Sequence, residues 1–417
     1  MPDPVSSQVT VLGAGIVGIC SALSLLEKGY SVEVIDRDPP AEGASHGNAG
    51  VVSPWSCVPQ SMPGLWKNVP KWTLDPEGPI AVRFGYLLTF MPWAIRFLGN
   101  CSEDRIPAIG DAMNALNRPN LDLYRQHLNG TGHEHLLSDS MYVHVYKDAD
   151  GANLNELGWR MRSDRGFPLQ VVGAGELHEI EPALSPDYKS AVLIKDQARA
   201  LDPRALGKAL AEKAMSMGAN FRQSKVNHIQ PGYHGGWVLH TDDGELNTEK
   251  LVIAAGAWSA RLLEPLGIKI PLEAERGYHL VFNDPGITVN NSIMDTAGKF
   301  VASSMLAGVR CAGTAEFAGL DTPPDYRRAK AFKRLGKRLF PELNVDDAEE
   351  WMGSRPSFPD SLPCIGEVPE HANLFSAFGH SHYGFGMAPN TGRIVAELVS
   401  GQTPNVDLNP YRIDRFQ

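Results

Sequence analysis

The chain has few cysteines: Cys20, Cys57, Cys101, Cys311 and Cys364, an odd count with no CxxC spacing. This argues against a disulfide framework and a structural zinc, and suits a reducing compartment. Positive charge is scarce too, with 38 lysines and arginines against 48 aspartates and glutamates, a net charge of -10. Without a basic stripe to displace the counterions of a phosphate backbone, no nucleic-acid partner is expected. The densest basic patch, YRRAKAFKRLGKR at 326–338, spaces its cations like the solvated face of a helix. Long apolar runs are missing as well. The longest, YLLTFMPWAI at 86–95, is too short to span a bilayer and is interrupted by Pro92. It is read as a partly buried helix of a second domain, with a helix lying on a membrane surface as the alternative. No basic segment precedes the first apolar run, so no signal peptide is expected. The expected location is the cytoplasm, with any membrane contact peripheral and on its inner face.

The composition, 43% hydrophobic and 21% charged, is that of a folded globular enzyme, and 417 residues exceed the usual size of one core. Two domains are therefore expected. The stretch VTVLGAGIVGICSALSLLEKGYSVEVIDRD at 9–38 reads as strand, glycine turn, helix and strand. Gly13, Gly15 and Gly18 have GxGxxG spacing: one for the tight turn, one for close approach to a pyrophosphate, one for helix-to-strand packing. Asp36 ends the second strand about 20 residues later, where a carboxylate accepts hydrogen bonds from a ribose diol. NAD and FAD share this unit, so it leaves the cofactor open. Further along, Asp202 and Pro203 start a helix, NFRQSKVNHI (220–229) reads as a short strand, and LVIAAG (251–256) as a buried one. Returning strands so far downstream imply an interrupted dinucleotide domain.

The chain resembles the D-amino-acid oxidase superfamily of flavoproteins, and within it the bacterial D-amino-acid dehydrogenases. The likeness runs from about residue 9 to 403 and rests on eight segments in order. They are VLGAGIVG with Asp36, GASHGNAGVVSP (43–54), ALDPRALGKAL (200–210), VIAAGAWS (252–259), ERGYHLVF (275–282), GVRCAGTAEFAGLD (308–321), GSRPSFPDSLPCIG (353–366) and FGHSHYGFGMAPNTGRIVAEL (378–398). The resemblance implies an α/β (α+β) fold with a discontinuous Rossmann-like FAD-binding domain, residues 1–85, 198–262 and 347–417. A substrate domain on a mixed, mainly antiparallel sheet, residues 86–197 and 263–346, would be inserted into it. FAD is the implied cofactor, and no metal is expected.

By the same resemblance, Gly13, Ala14, Gly15, Ile16, Val17, Gly18, Asp36 and Arg37 belong to the dinucleotide turn and its acidic strand end. Ser45 would lie near the diphosphate, with Asn48, Ala49 and Gly50 beside the isoalloxazine. Val226 would meet the adenine through its backbone, and Ala255 and Gly256 would lie where a side chain would collide with the dinucleotide. Gly384, Phe385, Gly386 and Met387 would open the last helix under the flavin pyrimidine ring, with glycine at 386 where many relatives carry threonine. His46 is one residue out of register with the histidine that attaches flavin in some relatives and is read as an ordinary loop residue. His380 and His382 are read as loop hydrogen-bonding residues, and Cys364 as packing.

Arg355 is the only cation of MGSRPSFPDSLPCIG, and Pro356 biases it toward extended backbone. A planar guanidinium that stays charged suits a substrate carboxylate, and Arg355 matches the GxRP arginine of the family. Tyr278 is expected to face the ring, where it would bind the carboxylate or gate the site, with His279 on the opposite face; Tyr383 is a candidate for the wall. The expected activity is oxidative deamination of a D-amino acid or cyclic imino acid, by hydride transfer from the α-carbon to flavin N5. The imino acid formed then hydrolyses to a 2-oxo acid. Alternatives are an oxidase of N-methyl amino acids, glycine or opines, or the flavin subunit of a hetero-oligomeric dehydrogenase. The sequence leaves open the electron acceptor, quinone or oxygen, and whether the chain is an oligomer.

Overall fold

The computed structural model describes residues 8–67, 78–232 and 235–417. The first seven residues, read for a leader, lie outside the described ones. Val9 and Val11 in the strand Gln8–Leu12 and Val32, Val34 and Ile35 in the strand Ser31–Asp36 are buried. Each such side chain withdraws apolar surface worth roughly 1.5–3 kcal/mol from water. Between them the helix Ile16–Glu27 is nearly all buried through Leu25 and stops at Lys28, with Gly29 in the left-handed region at φ 85°. These elements form the centre of a six-stranded sheet. Its order is Cys364–Glu367, Leu374–Phe378, Lys250–Ile253, Gln8–Leu12, Ser31–Asp36 and Asn220–Gln223, parallel except for the first pair.

Two further helices pack on Ile16–Glu27. In Pro203–Ser216 the Asp202 side chain accepts the Ala205 N–H at 2.9 Å, a capping bond. Gly384–Val399 crosses so closely that a Cβ on Gly392 would lie 2.5 Å from the Cys20 carbonyl. The strand expected over 220–229 is two strands, Asn220–Gln223 and Val226–Pro231. The break falls where the Ser224 N–H bonds the Asp36 carbonyl at 2.7 Å, and the chain then leaves for a separate three-stranded sheet.

The second large sheet has ten strands. Along its path it runs Ala348–Ser357, Glu273–Phe282, Gly308–Phe317, Phe300–Met305, Ser292–Asp295, Leu137–Tyr146, Ser190–Ala200 and Val51–Val52, with Ile80–Val82 and Leu169–Gly173 attached at the sides. Most pairs are antiparallel; Ser292–Asp295 with Leu137–Tyr146 and Gly308–Phe317 with Ile80–Val82 are parallel. The amphipathic helix Arg327–Leu339 buries Ala329, Phe332, Leu335 and Leu339 against this sheet and turns its basic face to solvent.

The division by segments differs from the expected one. Val51–Val52, Ile80–Val82 and Ala348–Ser357, expected in the cofactor part, pair into the ten-stranded sheet. The helix Ile106–Asn117, expected in the substrate part, packs Ile109, Met113 and Leu116 into the core under the helix Gly384–Val399. Hydrogen-bond pairing and apolar burial, not chain order, decide which body each segment joins. All of the run at 86–95 but Tyr86 lies in the helix Leu87–Asn100, which buries Phe90 and Trp93 and exposes Leu88 and Ile95. Among the described residues no helix is long and apolar enough to cross a membrane.

Candidate active site

A cavity of about 1030 Å³ is lined from both large sheets. At one end Gly13, with φ 119°, folds against the Ala254 carbonyl so tightly that a Cβ would overlap it. The Ala14 N–H donates to Asp36 Oδ2 at 2.6 Å, and the Asp38 N–H to Oδ1 at 3.0 Å. Burial raises the Asp36 pKa, and these two bonds pull against it. The Ile16 N–H donates to Ser45 Oγ at 2.9 Å. A Cβ on Gly15 would find only that Oγ nearby, at 3.6 Å, so the position opens onto the cavity. Val17, Val226, Ala255 and Gly256 line this part, as does Arg37, whose guanidinium lies 3.9 Å from the Trp258 ring centre.

In the middle, Asn48 and Ala49 line the wall. Asn48 Oδ1 accepts the Gly50 N–H at 2.8 Å, and Arg310 holds the loop from behind, donating to the Asn48 carbonyl at 2.6 Å and the His46 carbonyl at 3.3 Å. Burial lowers the Arg310 pKa to about 10, with Asp202 opposing the shift. Trp351 occupies the space left by Gly47 and Gly353 and stacks on His279, ring centres 5.0 Å apart and planes at 16°.

At the far end stands Arg355. Its guanidinium lies over Gly277, where any Cβ would overlap it. Both of its bonds leave from Nη1, one to Glu275 Oε1 and one to the Thr314 carbonyl, each 2.9 Å. Glu275 also takes Ser357 Oγ at 3.0 Å and pairs with His382 Nε2. Burial pushes the Glu275 carboxyl up, but His382, Arg355 and Ser357 together hold it at about 2. Gly384, Phe385 and Gly386, the first residues of the last helix, border the same end.

The register of the larger sheet explains this convergence. Directly paired residues share a face, and Arg355 pairs with Glu275, Gly353 with Gly277, and Trp351 with His279. The row continues through Ala312, Val301, Met294 and His144. All of these but His279 line the cavity, and His279 stacks on Trp351, which does. Over them lie Phe90 and Phe317, stacked at 4.3 Å, and Trp93, whose Nε1 donates to the Ser357 carbonyl at 3.1 Å.

Three expected cofactor residues stand behind the wall. Gly18 is pressed against the Gly13 carbonyl, as helix-to-strand packing requires; a Cβ on Gly50 would lie 2.6 Å from the Ala200 carbonyl; Met387 is fully buried among Ile109, Met113 and other core residues. Tyr278 is among the residues that line the cavity, but its hydroxyl is engaged away from Arg355. Its backbone borders the sheet bulge, but its hydroxyl donates to Glu316 Oε2 at 2.5 Å and accepts the Asp325 N–H at 2.9 Å. Burial and Glu316 push its pKa up to about 12. The side chain packs with Leu280 and Phe282 in the core beneath the helix Arg327–Leu339, while His279 takes the opposite face and bonds the Gly47 carbonyl at 3.1 Å. His380 bonds Thr391 Oγ1 at 2.9 Å within its own segment, but His382 reaches across to Glu275. Tyr383 lines the wall and donates to the Val58 carbonyl at 2.7 Å.

Sequence reasoning missed Glu275, Gly277, Arg310 and Trp351. One signal was available: in ERGYHLVF, Glu275, Gly277 and His279 alternate, and a glycine between two polar residues marks a place where something lies flat on the strand.

A parallel sheet with a glycine turn, an acidic strand end, and a cavity leading to a half-buried arginine on a second sheet define a dinucleotide-cofactor oxidoreductase. Residues 8–398 match the family model described as "FAD dependent oxidoreductase" (DAO), and the chain belongs to that family. It is an FAD-dependent oxidoreductase. It is similar to a D-amino-acid oxidase of Bradyrhizobium diazoefficiens, 36% identical over 99% of this chain and 100% of that one. A D-amino acid dehydrogenase of the same organism is 30% identical over 98% and 99%. Among solved structures, the glycine oxidase of Geobacillus kaustophilus superposes with a TM-score of 0.73 at 23% identity, covering 98% of this chain and 99% of that one.

Proposed function

We propose that the protein oxidises a D-amino acid or cyclic imino acid at the Arg355 end of the cavity, with FAD lying along the rest. The fit to FAD is supported by the open Gly15 position, the Asp36 carboxylate at a strand end, and the helix amides beside Gly384, Phe385 and Gly386. When bound, FAD supplies the acceptor for two electrons and a proton, taken as hydride from the substrate α-carbon. Water then hydrolyses the imine to the 2-oxo acid, releasing ammonia from an acyclic substrate and opening the ring of a cyclic one, whose nitrogen stays attached as an amine.

The observation that carries the reading is the state of Arg355. Nη1 is committed to Glu275 and Thr314, while Nη2 and Nε make no bond among the described residues. One edge of a rigid fork is thus held by protein, and the other edge is free for a carboxylate. Glu275 fixes the guanidinium and, with its pKa near 2, is too weak a base to take a proton from the substrate amine at neutral pH. The amine must therefore reach the site neutral. Phe90, Trp93 and Phe317 exclude water from the reacting end. The N-terminus of the helix Gly384–Val399 favours negative charge developing on the ring beside it. The names of the two relatives, an oxidase and a dehydrogenase of D-amino acids, support the substrate class.

The test is anaerobic mixing of the holoenzyme with D-, L- and N-methyl amino acids, followed by flavin absorbance. Bleaching by D-amino acids or cyclic imino acids supports the proposal, and bleaching by none of the amino acids overturns it. Hydrogen peroxide released at high turnover, with no acceptor added, would assign oxygen as the electron acceptor.

A further inference from the structure

The cations around the cavity differ in what compensates them. Arg355 has Glu275, Arg261 has Asp321, Arg37 has Asp38, and Arg310 has two carbonyls. Arg162, on the short helix Leu157–Asp164, has no carboxylate among the described residues. Its Nη1 donates to the Gly158 carbonyl at 3.1 Å, its Cζ lies 4.7 Å from the Trp159 ring centre, and its Nε is buried without a partner. Lys299, also in the wall, lies in the field of the Asp295 and Glu156 carboxylates, but its ammonium makes no ion pair or hydrogen bond among the described residues. Burial lowers the pKa of both. A cation taken out of water without a counter-charge is costly, and an anion seated beside it offsets that cost.

The surroundings locate this pair within the same site. The Trp159 ring lies 4.9 Å from His144, which lies 4.6 Å from Tyr142. His144 Nε2 is buried with no partner. Tyr142 and His144 share their sheet face with Ile194 and Met294, so the floor that begins at Arg355 ends here. The turn Ser381–Tyr383 joins the two ends: His382 pairs with Glu275 beside Arg355, and the next residue, Tyr383, lies in the field of Arg162. Arg355, Arg162, His382 and Tyr383 all line the one cavity.

We infer that the substrate is an amino acid whose side chain ends in a carboxylate, with its α-carboxylate on Arg355 and its side-chain carboxylate on Arg162. The inference rests on the proposed reading of the Arg355 end. Lys299 adds positive charge beside the second carboxylate, and neutral His144 is a hydrogen-bonding partner for it. Ile194 and Met294 line the apolar stretch for the intervening methylenes.

The test uses the FAD-loaded protein and two non-oxidisable probes of similar shape, succinate and butyrate, titrated by calorimetry. Succinate is expected to bind about 10-fold or more tightly, as a charge-assisted pair implies. Arg162→Met should erase that preference with FAD content kept, and Arg162→Lys should restore part of it. Equal binding of the two probes, or a preference that survives Arg162→Met, overturns the inference. The two readings separate under anaerobic reduction. If D-alanine and D-norvaline bleach the flavin as readily as D-aspartate and D-glutamate, the acidic preference is wrong and the proposed reaction stands. If no amino acid bleaches it, the reaction is wrong, and the succinate preference still decides whether Arg162 is an anion subsite.

Discussion

A carboxylate enclosed by Arg355, His382 and Ser357 loses its water and is repaid by charge and hydrogen bonds. Glu275 therefore ionises at about 2 in the folded protein, against an ordinary glutamate value of 4.5. A depressed pKa gives stability that is complete above pH 4.5 and fades as the pH falls toward 2. Glu275→Gln should thus lower unfolding free energy near pH 7 by on the order of 3 kcal/mol. The gap from wild type should close in acid, and denaturant titrations at pH 7 and pH 3 check this. Gly277 acts on the same group by absence. Gly277→Ala sets a methyl where the guanidinium lies, and the displaced Arg355 should raise KM about 10- to 100-fold with FAD retained. Steady-state kinetics beside the flavin spectrum measures both quantities.

Among the elements, the glycine turn assigns different work to neighbouring residues. Gly18→Ala drives a Cβ into the Gly13 carbonyl, so the helix Ile16–Glu27 must shift and thermal stability should fall by about 2 kcal/mol or more. Gly15→Val meets only open cavity, so the protein should stay folded by circular dichroism yet purify without yellow colour. This unit was legible in the sequence because a β-branched strand, a helix with its stop, and a second strand lie within 30 residues, each with a local signal. The strand Glu273–Phe282 was not, for a physical reason. All ten of its positions are buried, so alternation puts Tyr278 and His279 on opposite faces without telling which face meets the cavity. Contact with the helix Arg327–Leu339, about 50 residues away, decides that, and it takes Tyr278 for the core.

For the whole molecule, the cavity is where the two sheets meet. The chain crosses between them at Val51–Val52, Ile80–Val82 and Ala348–Ser357. These crossings were hidden from segment-by-segment reading, since each is a pairing with a distant strand. A cofactor lined from both sheets should stabilise them together. Stripping FAD should lower Tm, and adding it back at about 1,000 times its Kd should restore about 4 kcal/mol; calorimetry with added FAD reads this directly. The central claim, that Arg355 receives the substrate carboxylate beside the flavin, is tested most directly by anaerobic flavin reduction in wild type and Arg355→Met. Losing a charge-assisted anchor that the bound substrate covers costs about 2–5 kcal/mol. The variant should stay yellow but need at least about 30-fold more D-amino acid for half-maximal bleaching. An unchanged concentration dependence would contradict the account.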